Sequence, residues 1–323
     1  MKDTAFSNEP APVERIELTA GGAHLSRLVA GCWRLVEQSG ADVAEVERFI
    51  GRCLDLGISS FDHADIYGHY QVEALFGQAL ARNLGLRDRI EIVTKCGILP
   101  VVPQRPAHRV LHTNTSAAHI RVSVENSLRA LHTDRIDLLL LHRPDPLMDA
   151  DETAQALLDL RSAGKILHVG VSNFAPPQFE LLRSRMGTVP LSTHQVELSV
   201  MHTDALHDGT IDQCHRLRCA PMAWSPLGGG RLFKADVAQA ARVKAVLDAL
   251  VLVHAEAVGG PDTRVDASTI ALAWLLRHPA RIVPVLGSIR PERLHRAARA
   301  CALSLDRKDW QAITTAAEGE PFK

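Results

Sequence analysis

The sequence predicts an α/β protein folded as a single (β/α)8 TIM barrel, and three observations support this prediction. Eight short apolar runs alternate with longer segments of helical periodicity, which is typical of repeated βα units around a parallel sheet. The runs are almost continuously apolar, as expected of strands covered on both faces. Three of them end at an ionisable residue and four others carry or lead into polar residues, at the end of the strand where barrels of this class build their sites.

The barrel strands are predicted from these apolar runs. In chain order they are Leu28–Gly31, Ser59–Asp62, Ile90–Lys95, Ile136–His142, Ile166–Val171, Ser192–Val196, Ala220–Trp224 and Ile282–Leu286. Ahead of the barrel, Arg15–Leu18 and His24–Val29 flank the small residues Ala20 to Ala23. This arrangement predicts an N-terminal β-hairpin.

Helices are predicted where a capping residue and a helix-ending glycine or proline frame an amphipathic stretch. These helices are Val43–Leu56 after Asp42, Ser116–Leu131, Asp151–Ala163 and Asp266–Arg277. Two more fall outside the alternation: Val237–Val258, an extra helix before the last βα unit, and Asp306–Ala317, a C-terminal helix. Residues 1–12 lack a hydrophobic signal core and are expected to form a flexible tail, with 13–323 as one domain.

A doubly wound open sheet with a second domain is the alternative architecture. That fold usually carries a G-x-G-x-x-G turn after its first strand. Here the first strand is followed by Gly31-Cys32-Trp33-Arg34, which cannot serve as that turn. No Walker-type phosphate loop and no linker rich in Pro, Gly or Ser occurs, so the single barrel is favoured.

Composition excludes several classes of protein. The formal net charge is −1, which argues against nucleic acid or an anionic membrane as the main partner. No apolar run is long enough to span a bilayer. The six cysteines are scattered and the sixteen histidines lack ligand spacing, so we expect reduced thiols and no metal site. We expect a cytoplasmic protein that is a monomer or weak homo-oligomer and binds a small molecule.

Polar residues mark the ends of the predicted strands. They are Asp62, Lys95, His142, Ser172, Asn173, Gln195, Trp224, Ser225, Gly287 and Ser288. Taken singly, Asp62 could cap a helix, and His142 or Tyr67 could be packing residues. Lys95 is harder to explain, because an ammonium in a barrel mouth is costly unless paired. Separate structural explanations for Asp62, Tyr67, Lys95 and His142 would require four independent coincidences, so a shared catalytic site is favoured.

The chemistry of four of these residues suits carbonyl reduction, which needs a hydride and a proton. Tyr67 can supply the proton only if its pKa falls from about 10 toward neutrality. The Lys95 ammonium would lower that pKa, and Asp62 would keep the ammonium charged and oriented. A neutral His142 imidazole could donate a hydrogen bond to the substrate oxygen as negative charge develops there.

At these residues the sequence resembles the aldo-keto reductase superfamily. The motifs that carry the resemblance are Phe61-Asp62-His63-Ala64-Asp65-Ile66-Tyr67-Gly68, Ile92-Val93-Thr94-Lys95, Asp137-Leu138-Leu139-Leu140-Leu141-His142, Gly170-Val171-Ser172-Asn173-Phe174, Gln195-Val196-Glu197 and Ala223-Trp224-Ser225-Pro226-Leu227-Gly228-Gly229-Gly230. They run in order from about Leu28 to Arg299, and the likeness is greatest to a poorly characterised bacterial oxidoreductase branch. The family fold is a (β/α)8 barrel closed by a hairpin at its bottom, which agrees with the independent strand count.

The resemblance implies roles for individual residues. It implies Tyr67 as acid, Lys95 and Asp62 as its tuning pair, and His142 as the residue that orients the substrate oxygen. For the cofactor it implies Ser172, Asn173 and Gln195 at the nicotinamide carboxamide, Trp224 stacking, Ser225, Pro226, Leu227 and Gly228 at the pyrophosphate, Gly287, Ser288, Arg290 and Arg293 at the 2′-phosphate, and further contacts from Gly31, Cys32 and Trp33.

Two departures from the family pattern bear on the cofactor. Trp224 occupies a slot that is usually tyrosine, and it should stack well because it keeps a large π face. Arg296 and Ala297 replace the Glu-Asn pair that contacts adenine in the family. Arg290 and Arg293 suit a phosphate bidentately, although they could also be ordinary surface residues. NADP(H) is therefore expected rather than NAD(H).

The substrate wall is predicted to come from Trp33, Tyr70, the loop Gly97–Thr115 and Leu227–Phe233, with Phe233 at its edge. The loop is long and carries three prolines, which is typical of a functional lid. Family members with glutamate in place of His142 reduce carbon–carbon double bonds, so the resemblance implies an aldehyde or ketone substrate. Two alternatives stay open: a Schiff-base aldolase using Lys95, and a nucleotide-sensing binding subunit with little turnover.

Overall fold

The computed structural model describes residues 10–234, 236–257 and 265–319. Within these ranges the strands are β1 Arg15–Glu17, β2 His24–Ser26, β3 Val29–Gly31, β4 Ser60–Asp62, β5 Glu91–Cys96, β6 Ile98–Leu99, β7 His112–Thr113, β8 Ile136–Leu141, β9 Ile166–Ser172, β10 Leu191–Glu197, β11 Met222–Trp224 and β12 Val283–Leu286. Eight of them form a closed barrel in the order β3-β4-β5-β8-β9-β10-β11-β12, and all neighbours in it are parallel. The predicted fold is confirmed.

The helices between the strands complete the barrel. In the described ranges they are α1 Leu35–Ser39, α2 Val43–Asp55, α3 Val72–Arg82, α4 Ala117–Ala130, α5 Ala150–Ser162, α6 Pro176–Arg183, α7 Thr210–Leu217, α8 Ala238–Ala257, α9 Ala267–Arg277, α10 Pro291–Ala300 and α11 Arg307–Glu318. The extra helix and the C-terminal helix are confirmed as α8 and α11, and Val258 lies outside the described residues. None of the described helices is long and apolar enough to cross a membrane.

Helix starts follow the predicted capping chemistry, with one correction. The side chains of Asp42, Ser116 and Asp266 each accept a hydrogen bond from a backbone N–H in the first turn of their helices. The predicted helix Asp151–Ala163 is α5, which begins one residue earlier because its cap is Asp149; Asp151 lies in the first turn and donates its N–H to Asp149. Both positions carry aspartate, so sequence alone could not choose between them.

The N-terminal hairpin closes the bottom of the barrel, as predicted. Strands β1 and β2 pair antiparallel, and Ala220 N donates to Leu18 O at 2.7 Å just before β11. Leu18 and Leu25 are fully buried against the barrel interior. The second strand ends at Ser26 rather than Val29, because Val29 already pairs with Ser60 as the first residue of β3. Of the predicted tail, residues 1–9 lie outside the described residues.

The predicted lid Gly97–Thr115 is not wholly a loop. Its two ends pair antiparallel as β6 and β7, and Thr115 N donates to Asp145 Oδ2 at 2.9 Å. Strands of two residues are too short to show an alternating pattern, so the ribbon could not be read from the sequence. It anchors the irregular segment 100–111 above the barrel.

Packing outside the barrel determines which side chains point inward. Phe61 of β4 packs outward against Phe49 and Phe76, with ring centroids 5.8 and 5.3 Å away. Successive residues of a strand face opposite sides, so Asp62 faces the barrel interior. On β5, Thr94 points outward and donates to Glu73 Oε1 at 2.6 Å, which leaves Lys95 pointing inward by the same alternation.

Candidate active site

Lys95 lies at the centre of a buried cluster at the carboxyl ends of β4 and β5. Its Nζ donates to Asp62 Oδ2 at 2.7 Å, to the backbone oxygen of His63 at 2.7 Å and to Tyr67 Oη at 3.0 Å. These three acceptors use all three hydrogens of the ammonium. The Lys95 side chain has no exposed surface, and a charge so buried is tolerated only when it is paired and hydrogen-bonded.

The loop after β4 carries Tyr67 back over the barrel mouth. Tyr67 N donates to the backbone oxygen of Ala64 at 3.0 Å. The next three residues, Gly68, His69 and Tyr70, all have positive φ, a conformation that non-glycine residues rarely adopt. The chain thereby reverses direction sharply and starts α3, while the Tyr67 ring remains 4.9 Å from Lys95 Nζ.

The pKa of Tyr67 differs from the sequence-based expectation. Burial raises it above its ordinary value; the Lys95 ammonium acts to lower it, and the Asp62 charge opposes Lys95. Lys95 therefore acts in the expected direction, but the expected net fall toward neutrality was wrong for this protein, because burial outweighs the ammonium. A raised pKa keeps the phenol protonated at neutral pH, which is the form that can donate a proton.

The charge state of Lys95 distinguishes two of the hypotheses. Burial acts to lower the pKa of Lys95, but Asp62 and Tyr67 raise it by charge and by hydrogen bonding, and the net pKa lies above its ordinary value. A Schiff-base lysine must be neutral to attack a carbonyl. This environment keeps the amine charged and so disfavours the aldolase alternative.

His142 follows β8 and faces Tyr67. The two rings meet edge to face with centroids 5.9 Å apart, and His142 N donates to the backbone oxygen of Cys96 at 2.8 Å. Burial, with the positive charges of Lys95 and Arg143, holds the pKa of His142 well below its ordinary value. The imidazole is therefore neutral at physiological pH, the form that donates one N–H and accepts at the other nitrogen.

A second group of side chains lies at the carboxyl ends of β9, β10 and β11. Asn173 has a φ of 60°, and its Nδ2 donates to Ser172 Oγ at 2.7 Å and to the backbone oxygen of His142 at 3.2 Å. Trp224 Nε1 donates to Asn173 Oδ1 at 2.9 Å. Gln195 Nε2 donates to Asp62 Oδ1 at 2.7 Å. Ser172, Asn173 and Trp224 are thus bonded to one another, whereas Gln195, which lies beside Ser172 in the β9–β10 pairing, bonds Asp62 of the Lys95 cluster.

The chain after Trp224 forms an open backbone turn. Ser225, Gly228, Gly229 and Gly230 all have positive φ, and Gly228 begins a short 3-10 helix, Gly228–Phe233. A Cβ on Gly228 would lie 2.7 Å from Met201 Cβ, so this position requires glycine both for φ and for space. Within the turn Gly228 N donates to Ser225 O and Gly230 N donates to Leu227 O; the pyrophosphate role that the resemblance implies for this segment stays a prediction.

The predicted 2′-phosphate residues lie between β12 and α10. Arg290 and Arg293 are exposed, and within the described residues no acidic side chain pairs with either guanidinium. Arg296, by contrast, pairs with Asp266 at 3.2 Å, and Ala297 is buried. The two exposed arginines therefore remain available to a phosphate, while Arg296 has a structural partner.

Gln38 was missed by the sequence reasoning. From α1 its Nε2 donates to Gly287 O at 3.0 Å and its Oε1 accepts from Ile289 N at 2.9 Å, so it holds the segment that carries Ser288. Helix α1 has only five residues, too few for periodicity to reveal it, and an isolated glutamine gives no signal of its own.

The residues predicted near the first strand have differing surroundings. A Cβ on Gly31 would lie 2.7 Å from Leu286 O, so glycine there permits β3 and β12 to approach. Cys32 is fully buried, burial raises the pKa of its thiol, and its backbone N donates to Asp62 O at 2.8 Å.

The predicted substrate residues are aromatic and reachable. Trp33 is 58% exposed and Phe233 50% exposed. Tyr70 lies under the guanidinium of Arg105 from the lid, 4.8 Å from Cζ to the ring centroid. No cluster of His, Cys, Asp or Glu that could hold a metal ion occurs among the described residues. The described structure is thus a (β/α)8 barrel with the hydrogen-bonded cluster of Asp62, Lys95 and Tyr67 at its carboxyl end.

Comparisons with known proteins define the family. The family model described as "Aldo/keto reductase family" matches residues 27–318. A 6-dehydroglucose reductase of Agrobacterium fabrum is 47% identical, over 92% of this chain and 95% of the relative. The oxidoreductase YdhF of Escherichia coli is 46% identical, over 95% of this chain and 98% of the relative. A thermostable aldo-keto reductase solved with the inhibitor epalrestat has a TM-score of 0.77 at 25% identity, over 94% of this chain and 99% of that one.

The chain belongs to the aldo/keto reductase family. It is an NAD(P)H-dependent oxidoreductase, and the resemblance identified in the motifs is confirmed.

Proposed function

We propose that this protein reduces an aldehyde or ketone to an alcohol with NADPH, with Tyr67 as the proton donor. The observation that carries the proposal is the hydrogen bond from Lys95 Nζ to Tyr67 Oη in a buried cluster whose charge is balanced by Asp62. The side chains of Ser172, Asn173 and Gln195 adjoin this cluster. The site therefore has a protonated acid next to the residues that would hold a nicotinamide.

The side chains perform distinct tasks in this reaction. A bound nicotinamide supplies the hydride. Tyr67 donates its phenolic proton to the carbonyl oxygen, and the Lys95 ammonium stabilises the phenolate that remains. The neutral His142 donates a hydrogen bond to the same oxygen as negative charge grows on it. Asp62 keeps Lys95 protonated and aimed at Tyr67.

The substrate is proposed to be a small, uncharged carbonyl compound. The three reachable aromatic residues, Trp33, Tyr70 and Phe233, would line its site. Because two relatives are named 6-dehydroglucose reductase, sugar-derived aldehydes should be among the first substrates tested.

We propose that the protein acts in the cytoplasm, as a monomer or weak homo-oligomer.

The direct test follows oxidation of NADPH or NADH by absorbance with a panel of aldehydes, ketones and sugar aldehydes. We expect substrate-dependent oxidation, faster with NADPH. If both cofactors bind and no carbonyl compound in a broad panel is reduced, the protein is a nucleotide-sensing subunit rather than a reductase.

The cofactor preference depends on two exposed arginines. Replacement of both Arg290 and Arg293 by alanine is expected to weaken NADPH binding by about 2–4 kcal/mol, since charge-assisted hydrogen bonds to the 2′-phosphate are lost. NADH binding should be nearly unchanged, and the preference of the wild type should shrink as salt rises. Calorimetric titration with each dinucleotide measures both effects.

The matched control removes the same charge from the other end of the barrel. Arg82 and Arg216 lie in the last turns of α3 and α7, so their double replacement by alanine should leave the preference for NADPH intact. Equal wild-type affinities for the two dinucleotides, or a loss that is equal for both in the Arg290/Arg293 variant, would refute NADP(H) specificity. The oxidoreductase assignment would be unaffected.

A further inference from the structure

A hydrogen bond that spans the barrel mouth joins Gln195 to Asp62. Strands β10 and β4 stand four positions apart in a ring of eight, and therefore on opposite sides of the barrel. The two residues are 133 positions apart in the sequence, yet Gln195 Nε2 donates to Asp62 Oδ1 at 2.7 Å. Both side chains are buried, with 2% of each residue exposed. The contact is thus an interior one that water does not screen.

Charge determines the orientation of the Gln195 amide. An ionised carboxylate only accepts hydrogen bonds, so it must face the amide nitrogen and not the amide oxygen. The same nitrogen also contacts Met222 Sδ at 3.9 Å. Within the described part of the chain no group donates to Gln195 Oε1. That oxygen is left to accept an N–H from a ligand in the mouth, while the nitrogen is committed to Asp62.

Asp62 divides its two oxygens between two partners. Oδ2 accepts from Lys95 and Oδ1 accepts from Gln195. The side-chain torsion of a free aspartate carboxylate is broad, so the bond at Oδ1 restrains the rotation that would turn Oδ2 away from the ammonium. Loss of the Gln195 donor would leave a buried carboxylate oxygen unsatisfied and free to turn.

We propose that Gln195 is a positioning residue that holds the Asp62 carboxylate against the Lys95 ammonium, in addition to facing the nicotinamide carboxamide. The hold on Lys95 rests on the contacts above, whereas its consequence for proton donation rests on the proposed function. The nicotinamide site and the proton donor are then linked by one hydrogen-bonded chain: Gln195, Asp62, Lys95 and Tyr67.

The charge of Lys95 reports on this arrangement. Burial favours the neutral amine, and Asp62 and Tyr67 oppose it. The other titratable groups whose charge acts with that of Lys95 are Cys32, His63, Asp65, Glu73 and His142. A change confined to Gln195 alters none of these groups directly. A shift in the titration of Lys95 therefore measures how well Asp62 is held.

The test titrates Lys95 directly, by NMR of the lysine side-chain nitrogens in protein carrying isotope-labelled lysine. The Lys95 signal is assigned by its loss in Lys95→Met. In Gln195→Met, which has similar length and no amide, we expect Lys95 to lose its proton about one pH unit lower than in the wild type, as for one lost hydrogen bond to a charged group. At saturating cofactor, the alkaline limb of carbonyl reduction should fall by the same amount.

In a second variant, the titration of Lys95 is not expected to move to lower pH. In Gln195→Glu the new carboxyl and Asp62 are in contact and must share a proton, so a donor to Oδ1 is kept and negative charge is not reduced. Lys95 should keep its proton to a pH at least as high as in the wild type. Ser172→Ala is the control, because Ser172 bonds Asn173 and not Asp62; it should weaken cofactor binding without shifting Lys95.

Each outcome decides the proposal. An unshifted Lys95 titration in a folded Gln195→Met protein would overturn it, and so would a downward shift shared by Gln195→Glu. If Gln195→Met does not fold, a downward shift of Lys95 in Gln195→Glu would still overturn the proposal. A shift as expected in protein that reduces no carbonyl compound would uphold the positioning role and refute the proposed function.

Discussion

Replacement of Tyr67 by phenylalanine is expected to lower the turnover of carbonyl reduction about 10²–10⁴-fold, the usual contribution of a positioned general acid. The phenol is the group next to Lys95 that carries a transferable proton, and its raised pKa keeps that proton in place at neutral pH. NADPH affinity should change little, because the hydroxyl acts on the substrate oxygen. Steady-state turnover and direct cofactor binding measure the two effects separately.

The other tyrosine of the chain provides the matched control. Tyr70→Phe keeps the ring that packs under Arg105, so we expect at most a change in substrate KM. If Tyr67→Phe retained more than about a tenth of the wild-type turnover in an assay limited by chemistry, Tyr67 would not be the proton donor.

Replacement of Lys95 by methionine is expected to abolish reduction to a similar degree. Methionine fills the same volume but leaves Asp62 as an unpaired buried carboxylate and Tyr67 without a neighbouring positive charge. Because both residues serve one proton transfer, the double variant Lys95→Met/Tyr67→Phe should be little worse than either single variant. Turnover of the wild type, both single variants and the double variant measures this coupling.

An aldolase would behave differently at the same residue. It would form an imine on Lys95 that borohydride reduces to a stable adduct, detectable by mass spectrometry during turnover of a carbonyl substrate. Such an adduct would contradict the reductase mechanism, as would additive losses in the double variant. A thermal unfolding measurement on Lys95→Met separates lost catalysis from lost stability.

Most of the fold could be predicted from the sequence because its determinants are local. Apolar runs such as Leu138–Leu141 are typical of strands covered on both faces, and Asp42 and Ser116 start helices through bonds within a single turn. The start of a helix was harder to predict where two nearby residues could both cap it, as Asp149 and Asp151 could at α5. The two-stranded ribbon of β6 and β7 in the lid and the five-residue helix α1 are too short to show a periodic pattern in the sequence.

The residues of the candidate site could be located from the sequence because parallel strands place their carboxyl ends at one edge. Asp62, Lys95 and His142 each lie at or next to the carboxyl end of an apolar strand, so a common location follows from the barrel itself. Their roles stay predictions until the variants are measured. The sequence predicted that the pKa of Tyr67 falls, and this direction was wrong. Burial raises the pKa, and a sequence motif does not show how deeply its tyrosine is buried.

The sequence by itself determined the barrel, the order of its strands and which polar residues reach its mouth, because strand alternation and helix capping act within a few residues. Only the tertiary structure decided which of those residues touch. Gln195 meets Asp62 across the full width of the barrel, and Trp224 meets Asn173 over 51 positions of sequence. The first contact needs the closed barrel, in which β12 pairs with β3, and the second needs β9, β10 and β11 to stand side by side; no local pattern encodes either distance.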